Sequence, residues 1–385
     1  MNNFEYYNPV KIIFGEDTVL EKLADQVTNY KKMMVVYGHS ALKKCGAYDE
    51  IINALSGKSI VEFGGIDPNP KIEQLNSAVR LARQEKVDFI LAAGGGSVID
   101  GVKYIAMAAC LDNLSDSWNI VLGKQQCTAA LPFGNILTIP ATGSEMNNIA
   151  VISSEDNQGK YGFRAECLFP KFSILDPRYT LTLPPGQTAN GIVDCFVHVV
   201  EQYMTYPVDA PLQDRQAEAI LSTLVEIAPV LIDSPDNLPA RASMMWCATN
   251  ALNGQLGCGV PVDFACHRIG HYLTAHYGIV HARSLSSLYP AILKVMIEDK
   301  KSKLAQCARR VFEITEQDND DAAKACISAI IDFFKSVGLP TTFTEAGLAV
   351  DTELIIDEAI GFYGSFGEKN NISSDTIREI FQTAK

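Results

Sequence analysis

The first half of the chain alternates short apolar runs with segments whose apolar residues recur at helical spacing. The apolar runs predict β-strands at residues 10–14, 33–37, 59–63, 87–93 and 136–139. The segments between them predict helices at residues 17–30, 47–56, 71–86 and 102–109. Strands that alternate with helices in this way indicate an α/β domain with a parallel sheet.

The second half of the chain has a different pattern. After Gln187 the strand-like runs end, and long helical patterns follow that are punctuated by prolines. The sequence therefore predicts an α/β cofactor-binding domain with a parallel, dinucleotide-binding sheet over residues 1–185, and an all-α C-terminal domain over residues 186–385. A chain of 385 residues with 47% hydrophobic residues is long enough for both domains and a large core.

Charge and cysteine usage narrow the class of protein. The formal net charge of −13 argues against nucleic acid and anionic membrane as partners. The chain opens without a basic segment followed by an apolar run, and no apolar stretch reaches the ~20 residues of a membrane-spanning helix. Ten cysteines occur without a C-x-x-C pair, which is typical of reduced thiols in the cytoplasm.

Three glycines stand between a predicted strand and a predicted helix, in the run from Gly94 to Asp100 (GGGSVID). Glycines at such a position let the backbone approach an anion, and the helix N-terminus supplies free N–H groups and a positive dipole end. A tight turn is the alternative, although one glycine would satisfy it. The run has neither the G-x-G-x-x-G spacing nor the lysine of a Walker loop.

The segment from Pro140 to Asn147 follows the next predicted strand with small hydroxyl and amide groups. Such groups suit phosphate or ribose, although they are also common helix caps.

Five of the six histidines fall in the stretch from Asp194 to His281. Asp194 and His198 are four residues apart, as are His267 and His271, so each pair lies on one face of a helix. The surrounding residues are apolar, which predicts burial, and a buried Asp or His needs a polar partner. From spacing alone the pattern leaves two interpretations open: an N/O site for a divalent transition metal, or satisfied core histidines. Metal and cofactor are expected to meet in a cleft between the two domains.

With these motifs the chain resembles the iron-type (group III) alcohol dehydrogenases over essentially its whole length. The run from Gly94 to Asp100 is similar to the family's glycine turn, and the segment from Thr138 to Glu145 is similar to its second cofactor segment. The resemblance looks closest to the branch of NADPH-dependent aldehyde reductases, often called butanol dehydrogenases. One departure is Ala282, where the wider family commonly has glycine.

The resemblance implies the iron-type alcohol dehydrogenase fold, which dehydroquinate synthases share, and interconversion of aldehydes and primary alcohols with NADP(H). It also implies one divalent metal, Fe2+ or Zn2+, held by four ligands: Asp194, His198, His267 and His281. His271 would lie beside the substrate, where either His271 or water delivers the proton to the alkoxide. Asp100 is predicted as a second catalytic residue.

The predicted cofactor-binding residues follow the ends of strands or lie in the segment that closes the first half. They are Gly38, Ser40, Asn69, Gly95, Gly96, Ser97, Val98, Asp100, Thr138, Thr142, Ser144, Asn147, Lys160 and Tyr179.

The loop Gly38-His39-Ser40 bears on the choice of nicotinamide cofactor. NAD-specific α/β domains often place an acidic residue here to bind the 2′-hydroxyl of the ribose. His39 stands at this position, and Lys43 and Lys44 follow within a turn. Lys pairs on a surface are usually only solvated, which is the alternative interpretation. Together with the resemblance to the NADPH-using branch, the loop predicts a preference for NADPH.

Two other functions remain as alternatives. A metal- and NAD-dependent lyase of the dehydroquinate synthase type would need several basic residues for a phosphorylated substrate, yet residues 250–290 offer only Arg268 and Arg283. A non-catalytic nucleotide-binding protein would have no use for a full set of metal ligands. A small aldehyde or alcohol is thus the expected substrate, and a homodimer that pairs through residues 10–14 is the expected assembly.

Overall fold

The computed structural model describes residues 1–156 and 159–385. Its strands are β1 (Lys11–Phe14), β2 (Lys32–Tyr37), β3 (Ser59–Phe63), β4 (Phe89–Gly95), β5 (Phe133–Ile139), β6 (Ile149–Ser154), β7 (Gly159–Arg164) and β8 (Phe172–Leu175). The helices of the first half are α1 (Thr18–Gln26), α2 (Ala41–Lys44), α3 (Ala47–Ala54), α4 (Ile72–Gln84), α5 (Gly96–Ala109) and α6 (Ser117–Val121). Those of the second half are α7 (Pro185–Tyr203), α8 (Pro211–Asp233), α9 (Leu238–Ala251), α10 (Ala265–Tyr277), α11 (His281–Val295), α12 (Ile297–Arg310), α13 (Asn319–Ser336), α14 (Thr352–Tyr363) and α15 (Ser374–Thr383).

Six strands form a parallel sheet in the order β1-β8-β5-β4-β2-β3. Every residue of β4 is buried, because apolar layers cover both faces of the sheet. Helices α1 and α3 pack on one face, and α4 and α5 pack on the other. The parallel α/β domain predicted from the sequence is confirmed.

Strands β2 and β4 are neighbours, but the chain leaves them toward opposite faces of the sheet. The helix α3 that follows β2 packs on one face, whereas the helix α5 that follows β4 packs on the other. In open α/β sheets a ligand binds at such a switch point, beyond the carboxyl ends of the strands. Here that point lies between the turns at Gly38 and Gly95.

The first half contains three strands that the sequence pattern did not predict. Strand β8 adds to the sheet between β1 and β5, and β6 and β7 form a separate antiparallel hairpin. The glycine run also differs from the expected loop, since Gly94 and Gly95 end β4 and Gly96 begins α5.

The chain forms two compact units. One consists of Tyr7–Leu183 and Leu238–Thr249, and the other of Met1–Tyr6, Pro184–Asn237 and Asn250–Lys385. The predicted boundary at residue 185 lies close to the change of unit after Leu183. The sequence did not predict two exchanged segments: residues 1–6 belong to the helical unit, and residues 238–249 belong to the α/β unit.

Helices dominate residues 186–385, as predicted, with one isolated β-bridge between Phe366 and Ile372. Within the described residues, no helix is both long and apolar enough to cross a membrane.

Candidate metal and cofactor sites

Helix α7 presents three polar side chains on one face. Asp194, His198 and Glu201 follow one another at spacings of four and three residues, so they share a face of the helix. The helix begins with Pro185 at its first position, where the missing N–H costs nothing, and its second half is buried throughout. The three polar groups are at most 5% exposed. Such buried groups require partners.

Helices α10 and α11 bring two more imidazoles to Asp194. His267 lies in the first turn of α10, and His281 is the first residue of α11. The Oδ1 atom of Asp194 lies 3.6 Å from Nε2 of His267, 3.9 Å from Nε2 of His281 and 3.9 Å from Nδ1 of His198. These distances are too long for hydrogen bonds. They resemble the roughly 3.4 Å that separates two ligands of one tetrahedral metal ion.

Glu201 fixes the orientation of His267. Its carboxylate accepts hydrogen bonds from Nδ1 of His267 and from the backbone N–H groups of Cys266, at 2.6 Å, and His267, at 3.3 Å. Nε2 of the ring therefore faces Asp194. Although it is buried, this nitrogen has no hydrogen-bond partner in the described part of the chain. A carboxylate that holds the far nitrogen of a histidine is the usual support of a metal ligand.

The electrostatics of the cluster favour a cation. Burial alone would lower the pKa of His267, but the carboxylates of Glu201 and Asp194 raise it to about 9. The negative potential that stabilises an imidazolium also stabilises a metal ion. The geometry, the donor types and the charge thus fit a divalent metal at Asp194, His267 and His281, whose ligand atoms all lie within 4.8 Å of one another. Nδ1 of the fourth predicted ligand, His198, lies 3.9 Å from the same carboxylate oxygen of Asp194.

A second group of buried charges supports this cluster. Lys300 donates hydrogen bonds to the carbonyl of Met204 at 2.8 Å and to the carboxylates of Asp263 at 2.7 Å and Glu368 at 2.9 Å. Asp263 in turn donates its N–H to the carbonyl of Glu201 at 2.9 Å and accepts the N–H of Ala265, the first residue of α10, at 3.1 Å. This network fixes the start of α10 relative to α7.

His271 lies one turn after His267 on α10. Its ring centroid is 5.2 Å from that of His281 and 6.5 Å from that of His267, and the side chain is half-buried. It therefore borders the cluster without belonging to the group of closest ligand atoms. His276, further along the same helix, pairs instead with Glu358 at 2.6 Å.

Each glycine of the turn after β4 is required by close packing. A Cβ atom would lie 2.6 Å from Val98 at Gly94, 2.9 Å from Ile139 at Gly95 and 2.5 Å from Thr142 at Gly96. Such separations are below van der Waals contact, so glycine is needed here even without a ligand. The following helix α5 has no side-chain cap at its N-terminus. Its first N–H groups are thus suited to bind an anion.

Asp100 ties helix α5 to the segment after β5. It accepts hydrogen bonds from the Ser144 hydroxyl at 2.5 Å and from the N–H of Val151 at 3.0 Å. Lys103, also buried, donates to Ser144 Oγ at 2.7 Å and to Asn147 at 2.9 Å. Burial raises the pKa of Asp100, and the charge of Lys103 opposes this rise. The contacts give Asp100 a structural role, while its catalytic role stays a prediction.

Hydrogen bonds connect Asn69 and Lys160 to Ser97, which directly follows the three glycines. Asn69 has a positive φ of 56° and donates its N–H to the Ser97 hydroxyl at 3.3 Å, and Lys160 donates to the Asn69 side chain at 2.8 Å. Tyr179 lies elsewhere: it is buried in the layer that includes α1 and α3, and its hydroxyl donates to Glu50 at 2.5 Å. The structure therefore brings most predicted cofactor residues near the turn, but not Tyr179. Thr138 is buried within β5.

An open pocket lies beyond the carboxyl end of β2. Its lining comprises Tyr37, Gly38, His39, Ser40, Lys43, Gly64 and Gly65. Nε2 of His39 lies 2.9 Å from a carboxylate oxygen of Asp67. Lys43 stacks over Tyr48, with its Nζ 4.6 Å from the ring centroid. Asp67 thus places an acidic side chain near the predicted ribose position. It lies in the loop after β3, not in the loop from Gly38 to Ser40.

Sequence reasoning missed three side chains of these sites. Glu201 follows His198 by three residues, and Lys103 follows Asp100 by three, so helical spacing could have found both. No local signal links Asp67 to His39, which is 28 residues away.

Comparison with known proteins gives matches along nearly the whole chain. Residues 9–177 match the family model described as iron-containing alcohol dehydrogenase. Residues 188–385 match the model of the C-terminal part of the Fe-containing alcohol dehydrogenase family.

Individual relatives match over their full length. The chain is 44% identical to the NADPH-dependent aldehyde reductase YqhD of Escherichia coli and 38% identical to the probable NADH-dependent butanol dehydrogenase 1 of Bacillus subtilis, with 100% of each chain covered. The crystal structure of Escherichia coli YqhD superposes with a TM-score of 0.96, covering 100% of this chain and 99% of that one. The structure of the NADH-dependent butanol dehydrogenase A of Thermotoga maritima, 35% identical, gives 0.95 with the same coverage.

Proposed function

The chain belongs to the iron-containing alcohol dehydrogenase family, and we propose on this premise that it is a metal-dependent oxidoreductase that interconverts aldehydes and primary alcohols with NADP(H). The observation that carries the proposal is the buried cluster around Asp194, in which Glu201 turns the free nitrogen of His267 toward the other ligand groups. A structural histidine would be satisfied by hydrogen bonds on both nitrogens.

Asp194, His198, His267 and His281 would hold the metal. A divalent ion bound there supplies a Lewis acid that polarises the carbonyl of the substrate. One carboxylate and three imidazoles accept either Fe2+ or Zn2+. We propose that the bound ion is one of these two, and the description of the family as iron-containing favours Fe2+.

The α/β unit would hold the nicotinamide cofactor. The uncapped N-terminus of α5 supplies N–H groups for the pyrophosphate, and the glycines allow the close packing against Ile139 and Thr142 that holds this end of the helix in place. Asp100 and Lys103 fix the helix against the Ser144 segment, so that the N–H groups stay in one orientation. The cofactor supplies the hydride chemistry, and the protein orients it and excludes water.

We further propose that the cofactor is NADP(H) rather than NAD(H). The Escherichia coli relative is named as NADPH-dependent, whereas the Bacillus subtilis relative is named as NADH-dependent. In this chain His39, Ser40 and Lys43 line the pocket beyond β2 and favour a 2′-phosphate. Asp67 opposes it, because its carboxylate lies 2.9 Å from Nε2 of His39 at the edge of this pocket.

His271 is the proposed route for the proton that completes aldehyde reduction. It is half-buried and lies beside His281, so it can exchange protons with water while its ring borders the ligand cluster. The alternative of a dehydroquinate synthase type lyase is not favoured, because the full-length relatives are named as aldehyde reductases and butanol dehydrogenases.

We also propose a homodimer in the cytoplasm. Strand β1 is an edge of the sheet and pairs with β8 on one side, which leaves its other side available for the β1 strand of a second copy. The cysteines are all free thiols, as in a reducing compartment. Light scattering should give twice the 42.0 kDa of the chain, and proline at the position of β1 whose N–H points away from β8 should give the single mass.

The function is tested by stripping the protein of metal, reloading it with Fe2+ under anaerobic conditions or with Zn2+, and mixing it with NADPH and butanal. Loss of NADPH absorbance that depends on metal and yields one butanol per NADPH supports the proposal. If neither ion supports NADPH consumption with butanal or with a series of aliphatic and aromatic aldehydes, while metal and NADPH still bind, the proposal is wrong.

A further inference from the structure

Two half-buried thiols lie side by side in the α/β unit, outside every residue assigned above. The sulfur atoms of Cys127 and Cys167 are 3.3 Å apart, within hydrogen-bonding distance for thiols. Cys127 lies in the segment between α6 and β5, and Cys167 lies in the short 3-10 helix Glu166–Leu168 before β8. The two residues are 40 positions apart in sequence, so their proximity is produced by the fold.

The surroundings of the pair make one thiol reactive. The side-chain hydrogen bond shared with Cys127 lowers the pKa of Cys167 to about 7, although partial burial works in the opposite direction. The thiolate is the form of cysteine that attacks oxidants. The residues on either side of Cys127, at 123–126 and 128–129, are exposed, so a small molecule can reach the sulfur atoms and the segment can adjust.

We propose that Cys127 and Cys167 are a peroxide-reactive thiol pair that closes reversibly to an intramolecular disulfide. The two sulfur atoms need to approach by little more than 1 Å to reach bonding distance. An adjacent second thiol is what distinguishes a reversible redox site from a cysteine that oxidises further.

The reaction balances with a hydroperoxide as the oxidant. The Cys167 thiolate attacks one peroxide oxygen, the O–O bond breaks, and the departing oxygen takes up a proton to leave as water or an alcohol. The resulting sulfenic acid is attacked by the Cys127 sulfur, the S–O bond breaks, and the oxygen leaves as water with the proton from Cys127. Two thiols lose two electrons in total, and the peroxide gains them. A dithiol such as dithiothreitol reverses the step by thiol–disulfide exchange.

Other cysteines in the chain provide internal comparisons. Cys307 and Cys326 also interact through their side chains, but both are 0% exposed, and burial raises the pKa of Cys307 far above its ordinary value. Cys110 is exposed and close enough to Cys167 to interact with it electrostatically, but burial raises its pKa. Peroxide should therefore oxidise Cys127 and Cys167 before Cys307 and Cys326, and in preference to Cys110.

Peptide mapping can distinguish these cases. Trypsin places Cys110, Cys127 and Cys167 on separate peptides, spanning residues 104–124, 125–160 and 165–171. The metal-loaded protein is treated with a small molar excess of hydrogen peroxide, its remaining thiols are blocked with N-ethylmaleimide, and the digest is analysed without reduction. We expect a cross-linked 125–160/165–171 peptide, a loss of about 2 Da from the intact protein, and reversal by dithiothreitol.

Variants separate the pair from general oxidation. In Cys127→Ser, Cys167 should accumulate sulfinic acid, because no thiol resolves the sulfenic acid. In Cys167→Ser, Cys127 should stay reduced at the same peroxide dose. Cys110→Ser should leave the yield of the cross-link unchanged.

Three outcomes would overturn the proposal: a dominant Cys110–Cys167 cross-link, cross-linking of Cys307 to Cys326 at an equal rate, or no cross-link while Cys167 is oxidised in the parent protein. Butanal reduction by the same samples is not needed for the decision, so failure of the proposed enzyme activity would remain distinguishable.

Discussion

Glu201 accepts a hydrogen bond from Nδ1 of His267 and thereby turns Nε2 of the same ring toward Asp194. The same carboxylate receives two backbone N–H groups at the start of α10, so the ring and its helix are held by one side chain.

Glu201→Gln should weaken metal binding while leaving the fold intact. The substitution removes a negative charge and replaces one acceptor oxygen by an amide group. Loss of such a supporting carboxylate typically lowers metal affinity by roughly 10–100-fold. Competition with a chromophoric chelator measures the affinity. Glu358→Gln is the matched control, since it removes the carboxylate partner of His276 on the same helix. Equal affinities for both variants would contradict the role of Glu201.

His267→Ala and His281→Ala should each lose stoichiometric metal and aldehyde reduction while binding NADPH normally. The ligand histidines belong to the helical unit, whereas the glycine turn belongs to the α/β unit. Atomic spectroscopy measures the metal content, and fluorescence titration measures NADPH binding. His276→Ala should behave like the parent protein. Full metal content and turnover in His267→Ala would make the ligand assignment wrong.

Gly95→Ala tests whether the turn serves packing or the cofactor. The added Cβ would lie 2.9 Å from the Cβ of Ile139, so we expect weaker NADPH binding and lower stability. Combining it with Ile139→Gly removes the Cβ atom that the new methyl group would meet. If the effect on the cofactor comes only from displaced packing, the double variant should recover affinity relative to Gly95→Ala and match Ile139→Gly. If the Cβ blocks the pyrophosphate directly, the double variant should remain weak.

Catalytic efficiency should be at least about tenfold higher with NADPH than with NADH, a difference of only ~1.4 kcal/mol. His39→Asp should narrow or reverse this ratio by adding a carboxylate beside Asp67. Asp67→Asn should widen it, because it removes the negative charge nearest the predicted 2′-phosphate. Steady-state kinetics with both cofactors measures the ratios. Equal efficiencies in the parent, or ratios insensitive to both substitutions, would refute the assignment.

Asp100→Asn should destabilise the protein by about 1–3 kcal/mol, because Ser144 and Val151 lose a charged acceptor and Lys103 loses a neighbouring charge. Urea unfolding measures the change. NADPH affinity should fall with it, while kcat at saturating NADPH should remain near that of the parent. A collapse of kcat with unchanged stability would instead support the predicted catalytic role of Asp100.

Much of the fold was predictable because long, strongly periodic segments carry it. The apolar strand β4 and the amphipathic helix α4 appear in the sequence pattern with end points within a few residues of the observed ones. Strand β8 escaped prediction because Ser173 interrupts its short apolar run, and β7 because glycines interrupt its pattern. The exchanged segment at residues 238–249 has no sequence signal, since its assignment depends on tertiary packing.

The candidate site was predictable where spacing along one helix groups the residues. Asp194 and His198 were found in this way, and Glu201 obeys the same spacing. His281 was predicted as a ligand only from the family resemblance, because it lies on a different helix from the other predicted ligands. The contact between His39 and Asp67 connects two loops and could not be read from either one alone.

The buried Lys300 also has a consequence for the order in which the chain is synthesised. A ribosome that has reached residue 300 has already made every proposed metal ligand, as well as Asp263. Glu368, the second carboxylate partner of Lys300, emerges only near the C-terminus. Until then a nascent chain cannot complete the charge network that fixes the start of α10, and burying Lys300 costs more. The proposed metal ligands are therefore synthesised well before the last partner of Lys300, and a chain released before residue 368 would lack part of the network that fixes the start of α10.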